Sequence, residues 1–190
     1  MCLGHKVNKE KIGNILILLS SKIQPLYHTK LLKLLFLIDE RSINEIGMPV
    51  TWLDYKAWKL GPVSPEIYDL KFLNCPYEKY VDIIREEFGT RIVPAIDFDD
   101  STMSDYEMKI INEIILQFES TSAAELVDLT HEPGGLWDKT IKKFDIVFDD
   151  MTGISPYDID MTEKIKDDSS KLFHYNEVKS MLEFEASLID

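Results

Sequence analysis

Between residues 9 and 24, apolar side chains recur at spacings of three and four: Ile12, Ile15, Leu16, Leu19 and Ile23. That spacing predicts an amphipathic helix with one face turned inward. Asn8 stands where an N-cap belongs, and Pro25 where the helix must stop. The next segment, 29–45, is apolar nearly all round, with Leu31, Leu32, Leu34, Leu35, Phe36, Leu37 and Ile38. A helix of that kind belongs at the centre of a core, so it is predicted to be the most buried element. Thr29 is placed to cap it, and Gly47 and Pro49 end it. The period then changes. Val50, Trp52, Leu53, Tyr55, Ala57 and Trp58 alternate in part, which predicts a short strand or hairpin arm over 50–60. Ser64 as N-cap and Pro65 as first helical residue predict a short helix to about residue 73. Its inward residues are Ile67, Leu70 and either Phe72 or Leu73. Two apolar runs flank Gly89 within 79–96 and predict a hairpin, although Glu86-Glu87-Phe88 is a poor tight turn.

The second half begins with the clearest helix. Ser104 and Glu107 form a capping box, and Met103 and Met108 sit where a hydrophobic staple belongs. The helix runs to Glu119 with Ile111, Ile114, Ile115 and Phe118 inward. Ser122 and Glu125 repeat the capping box before Leu126, Leu129 and Thr130, and Pro133, Gly134 and Gly135 stop that helix. Beyond 136 the pattern is less regular. Ser155-Pro156 reads as another helix start, and a last helix is predicted over 176–188 with Val178, Met181, Leu182 and Phe184 apolar. The fold class expected is mainly α (α+β): a helical bundle with a small antiparallel β-hairpin or sheet near 50–60 and 79–96.

Composition narrows the class without changing it. The chain has 190 residues, 45% hydrophobic and 29% charged, which fits one folded domain with a core of its own. The formal net charge is -13. Residues 1–41 carry seven Lys and Arg against three Asp and Glu, so the remainder holds the acidic excess. The basic N-terminal face is expected to pack near, and balance, the acidic rest; the sharper alternative is an acidic face offered to a basic partner. A surface this acidic repels phosphate, so nucleic acid is not the expected partner. Cys2, in a terminus expected to fray, and Cys75 do not make a disulfide framework. No apolar run suits a signal peptide or a membrane span, and the expected location is cytoplasmic, with no membrane partner.

Motifs for chemistry are few. His5, His28, His131 and His174 lack metal-ligand spacing, and no P-loop, GxGxxG or GxSxG is present. Asp99-Asp100 and Asp149-Asp150 are read as solvated acid pairs. No catalytic residue, cofactor or metal is expected. Were there an enzyme, Asp39, Asp69 and His131 would be its best candidates, but nothing in the sequence brings them together. The helix pair 104–119 and 122–130 mimics a helix-turn-helix, yet its second helix has no Lys or Arg and holds Glu125 and Asp128. A DNA-binding reading would therefore depend on Lys6, Lys9, Lys11, Lys22 and Lys30. Aromatics crowd one stretch: Trp52, Tyr55, Trp58, Tyr68, Phe72, Tyr77 and Tyr80.

The stretch 29–70 resembles the Panacea (SocA-like) antitoxin family. The residues that carry the likeness are Lys30, Leu31, Lys33, Leu34, Leu35, Phe36 and Asp39, then Gly47 and Pro49, then Trp58, Gly61, Pro62, Val63, Ile67 and Tyr68. A second group is Leu126, Leu129, Thr130, His131 and Trp137. The likeness spans roughly 8–145 and departs from the pattern at Gly134-Gly135, which widen the spacing before Trp137. It implies a domain over 1–150; the likeness does not reach the tail beyond about 145, and residues 151–190 are expected to be a C-terminal helical extension packed on the same domain. It also implies a non-enzymatic antitoxin that neutralises, by direct protein binding, a toxin encoded by a neighbouring gene. Some such proteins are adaptors that deliver a toxin to a protease, and others are found in phage, so a protease or chaperone is a further partner the likeness allows. The alternative function is a DNA-binding regulator or protease adaptor of phage origin.

The expected partner-binding residues are Trp58, Lys59, Gly61, Pro62, Val63, Glu66 and Tyr68. Gly61-Pro62 is a stiff turn that loses little entropy on binding. Trp58 and Tyr68 on either side are the residue types that anchor interfaces, with Lys59 and Glu66 as a polar rim. The competing reading is that the turn only positions the following helix and Trp58 fills the core.

Overall fold

The computed structural model describes residues 2–72, 76–149 and 151–189. Leu73, Cys75 and Asp150 therefore lie outside the described residues. Two helices, α1 (Leu3–Val7) and α2 (Lys9–Lys22), lead into a two-residue strand, β1 (Leu26–Tyr27), and the long helix α3 (His28–Ile46). A hairpin follows, β2 (Lys56–Trp58) and β3 (Gly61–Val63), then α4 (Pro65–Tyr68), which runs on as a 3-10 turn over Asp69–Lys71. A second hairpin is made by β4 (Val81–Glu86) and β5 (Gly89–Pro94). The remainder is helical: α5 (Asp105–Phe118), α6 (Ala123–Thr130), α7 (Leu136–Lys143), a 3-10 turn over Met161–Lys164, and α8 (Ser169–Ile189).

The fold is mainly α with a small antiparallel component, as the periodicity predicts. α3 is its axis: Leu31, Leu34, Leu35 and Ile38 are fully buried. α3 packs against α5, α6, β3 and the 3-10 turn at Met161–Lys164, while α2 lies on β5. Gly47 closes α3 in the left-handed conformation (φ 84°), donating its N–H to the Ile43 carbonyl. Both predicted capping boxes are present, at Ser104–Glu107 and Ser122–Glu125.

The described residues form two sheets. β1, β5 and β4 form one, in that order, with Leu26 opposite Ile92 and Ile83 opposite Ile92 on the other side. The turn between β4 and β5 is Glu87-Phe88, and Gly89 opens β5. The other sheet is β2 with β3, with Trp58 opposite Gly61.

Several expectations are corrected. Cys2 is buried, because α1 folds back so that the Gly4 N–H reaches the Trp52 carbonyl. Asn8 makes no side-chain cap; it joins α1 to α2 and its backbone does the work. α3 starts one residue before Thr29, with β1 feeding directly into it. Ser64 does sit at the N-cap of α4, but its hydroxyl turns to the Glu66 carboxylate at 3.0 Å. Only 56–58 of the segment 50–60 is strand. Trp52 adopts φ 55°, and Thr51 is clasped by Asp39, so the chain before Lys56 cannot run extended. Phe72 is exposed, while Ile67 and Leu70 face inward as expected. Ser155-Pro156 starts no helix, since Ser155 is held beneath Trp58. α8 is longer than predicted, and Met181 and Phe184 face outward while Leu182 and Ala186 are buried.

Candidate partner-binding site

Three charged side chains of α3, Lys30, Lys33 and Asp39, are buried, and each ties a different segment to the core. Lys30 donates from Nζ to the carbonyls of Glu119 and Thr121, 2.7 Å each, and so closes the C-terminal end of α5. Asp39 accepts from the Thr51 N–H at 2.8 Å, from the Thr51 hydroxyl, and from the Tyr55 hydroxyl at 2.8 Å. Burial pushes its carboxyl up to about 6, against the pull of those donors. Lys33 donates from Nζ to the Pro62 carbonyl at 2.8 Å, and burial lowers its ammonium to about 7.

The Lys33 ammonium lies against the hairpin turn, and this explains Gly61. Gly61 has φ 95°, and a Cβ there would meet Thr130 Oγ1 at 2.7 Å, Lys33 Nζ at 2.9 Å and His131 Nε2 at 3.2 Å. Only a residue without a side chain fits that backbone and that space. His131 stacks on Trp137 with ring centroids 3.9 Å apart. Its buried Nε2 has no hydrogen-bond partner among the described residues. Burial, and then the nearby Lys33 charge, lower its pKa. Trp137 donates from Nε1 to the Trp58 carbonyl at 2.8 Å, and Trp58 donates from Nε1 to the Ser155 carbonyl at 3.1 Å. The Trp58 ring meets Tyr68 edge-on at 4.7 Å, and Lys71 Nζ sits 3.5 Å over the Tyr68 ring. Residues far apart in sequence thus form one aromatic and polar cluster that fixes the hairpin on α3.

Beside this cluster lies a cleft of about 380 Å³. Leu32, Lys33, Trp58, Tyr68 and Lys71 line its inner side, and Leu60 and Met151 stand at its mouth. Leu60 is 59% exposed and Met151 96%. Single apolar side chains in water are ordinary; what sets these two apart is that they share the mouth of one cleft with an aromatic floor.

The structure sorts the sequence-derived binding residues into three groups. Trp58, Lys59, Val63 and Tyr68 line the cleft. Gly61, Pro62 and Val63 are buried and form β3, so Gly61-Pro62 is strand and not the turn expected; the turn is Lys59-Leu60, both exposed. Glu66 faces the other way, grouped with Cys2 and Asp54, whose potential ligand atoms lie within 4.8 Å of one another. Burial, reinforced by the Glu66 charge, pushes the Cys2 thiol up to about 12, so it stays protonated and is a poor metal ligand. Leu60, Lys71 and Met151 are cleft residues that the sequence reading missed. Leu60, an apolar residue at a hairpin tip, was the available signal.

Asp39, Asp69 and His131 have separate surroundings: Asp39 is enclosed by Thr51 and Tyr55, His131 lies on Trp137, and Asp69 is exposed in the 3-10 turn. The N-terminal lysines also go to separate places. Lys6 reaches the Ala186 carbonyl on α8, Lys11 pairs with Glu107 at 2.7 Å, and Lys30 closes α5. Among the described residues, no helix is long and apolar enough to cross a membrane.

A family model described as "Antitoxin SocA-like, Panacea domain" matches residues 31–138. Antitoxin SocA of Caulobacter vibrioides (strain NA1000 / CB15N) is 29% identical over 136 residues, which is 70% of this chain and 70% of that protein. No solved structure matches the chain.

Proposed function

The chain belongs to the SocA-like Panacea antitoxin family, and from that premise we propose that it neutralises a cognate toxin, encoded by a neighbouring gene, by binding it directly through the cleft beside the β2–β3 turn. The observation that carries this reading is the pairing of an aromatic floor with exposed apolar residues at the rim. Trp58 and Tyr68 are held in place by hydrogen bonds and ring contacts, while Leu60 and Met151 project into solvent beside them. Rigid aromatics next to uncovered apolar groups are the usual make-up of a binding hot spot. The role proposed is binding and not catalysis, since the titratable candidates do not converge.

The test is co-expression of the toxin with Leu60→Asp and Met151→Asp variants, beside melting curves and a direct affinity measurement. Both side chains are outside the core, so the variants should melt within a few degrees of the parent. Loss of about 2 kcal/mol or more of binding, roughly thirtyfold in Kd, is expected for at least one of them, with loss of neutralisation. Variants that fold normally and neutralise as well as the parent would move the interface off the cleft.

A further inference from the structure

The helix α8 carries apolar residues on two opposite sides, and only one side is packed. Leu182 and Ala186 are buried against Leu3 in a small cluster that also draws in Val7, Trp52 and Val178, separate from the main core. Phe173, Met181, Phe184 and Leu188 are 54–71% exposed. At 3.6 residues per turn these four fall within about 80° of arc, centred nearly opposite the packed side. They form a stripe along most of the helix, interrupted between Phe173 and Met181 by Glu177 and unbroken over Met181, Phe184 and Leu188. The charges of α8 are sorted as well. Glu177 lies within the stripe, and Glu183 and Glu185 flank it, all three exposed. Lys171 and Lys179 are half-buried toward the packed side, and Lys171 donates to the Asn44 carbonyl at 2.7 Å. The outward face of α8 is therefore apolar over its C-terminal half, acidic at its middle and edges, and contains no Lys or Arg.

We propose that this face is a second docking surface, and that it takes a basic amphipathic helix of a partner protein. Charge selects the occupant. A second copy would set Glu177, Glu183 and Glu185 against their own counterparts in a chain of net charge -13. A helix with an apolar stripe and Lys or Arg at its margins would bury the four exposed side chains and pair with those glutamates. The surface goes beyond the antitoxin reading. α8 lies outside residues 31–138, the part the family model matches, and it is separate from the cleft.

The test needs no toxin. A labelled synthetic Leu/Lys amphipathic helix and its Leu/Glu counterpart are titrated with the full chain by fluorescence anisotropy. The Leu/Lys peptide should bind, more weakly as salt rises, and the Leu/Glu peptide should not. Phe184→Ser with Leu188→Ser should weaken binding at least tenfold and leave the melting temperature unchanged. Glu177→Lys, Glu183→Lys and Glu185→Lys together should reverse the preference between the peptides. The proposal is overturned if the Leu/Lys peptide does not bind, or binds the double-serine variant as tightly as the parent, which would be unspecific attraction to an acidic surface. It is also overturned if sedimentation shows a dimer that the double-serine change dissociates, or if neutral lipid vesicles bind the chain through α8 and the peptide does not.

Discussion

Lys33 should leave a signature in the pH dependence of stability. In the folded chain its ammonium is enclosed, with the Pro62 carbonyl as its hydrogen-bond acceptor, and burial brings its pKa from the ordinary 10.5 to about 7. Between those values the unfolded chain binds the proton and the folded chain does not. Stability from this group therefore rises with pH through that window, and the cost of the buried charge is felt in full below pH 7. The full shift corresponds to roughly 5 kcal/mol, and the change between pH 7 and 9 to roughly 2 kcal/mol, because the folded group is half titrated at pH 7. Above about 9 the opposite trend sets in. The Cys2 thiol, pushed up to about 12, keeps its proton in the folded state after the unfolded chain has lost its own. The clean measurement is a difference. Urea unfolding of the parent and of Lys33→Met at pH 6, 7, 8 and 9 should show the stability gap between them changing by roughly 2 kcal/mol from pH 7 to 9, in favour of the parent. Met removes the titration while filling similar volume. A gap that stays constant within about 0.5 kcal/mol would mean that Lys33 keeps an ordinary pKa, and that its ammonium is not enclosed as described.

Gly61→Ala should cost about 2–5 kcal/mol in denaturant unfolding, from left-handed strain and from displacing Lys33 Nζ off the Pro62 carbonyl. Part of that cost should vanish in the Lys33→Met background, and strict additivity would count against the clash. Ser104→Ala and Ser122→Ala should each lower stability by about 1 kcal/mol, additively because they cap different helices, and thermal melts of the two single variants and the double variant check this.

What could be read from the sequence was what local chemistry decides. The capping boxes of α5 and α6 depend on residues three apart, and both formed as written. The all-round apolar run of α3 gave its central burial, and the paired runs about Gly89 gave β4 and β5. The failures share a cause in distant partners. Thr51 leaves the strand because Asp39, twelve residues away, claims its N–H and hydroxyl. Leu26–Tyr27 is a strand only because β5 lies beside it. Gly61 looked like a turn residue offered to a partner, and its need for no side chain comes from Lys33, Thr130 and His131. The cleft was half legible: Trp58 and Tyr68 were visible as anchors, whereas Met151 reaches the same rim only through the path of the chain after α7.

That returning path has a further effect. β2 has β3 on one side, and on the other it is covered by residues 153–159. The Lys59 N–H reaches the Gly153 carbonyl at 2.8 Å, the Ala57 N–H the Tyr157 carbonyl at 3.0 Å, and the Ile159 N–H the Tyr55 carbonyl at 2.7 Å. Lys56 and Asp158 form a bridge between the two, reinforced by an ion pair at 2.7 Å. Without this cover β2 would be an open sheet edge, with unpaired amides and carbonyls ready to recruit another chain. A chain cut before Gly153, with its N-terminal helices kept, would lose the cover and the acceptor for Trp58 Nε1 together. Such a fragment should self-associate through β2, so the last forty residues act as a guard against aggregation for the hairpin beside the cleft.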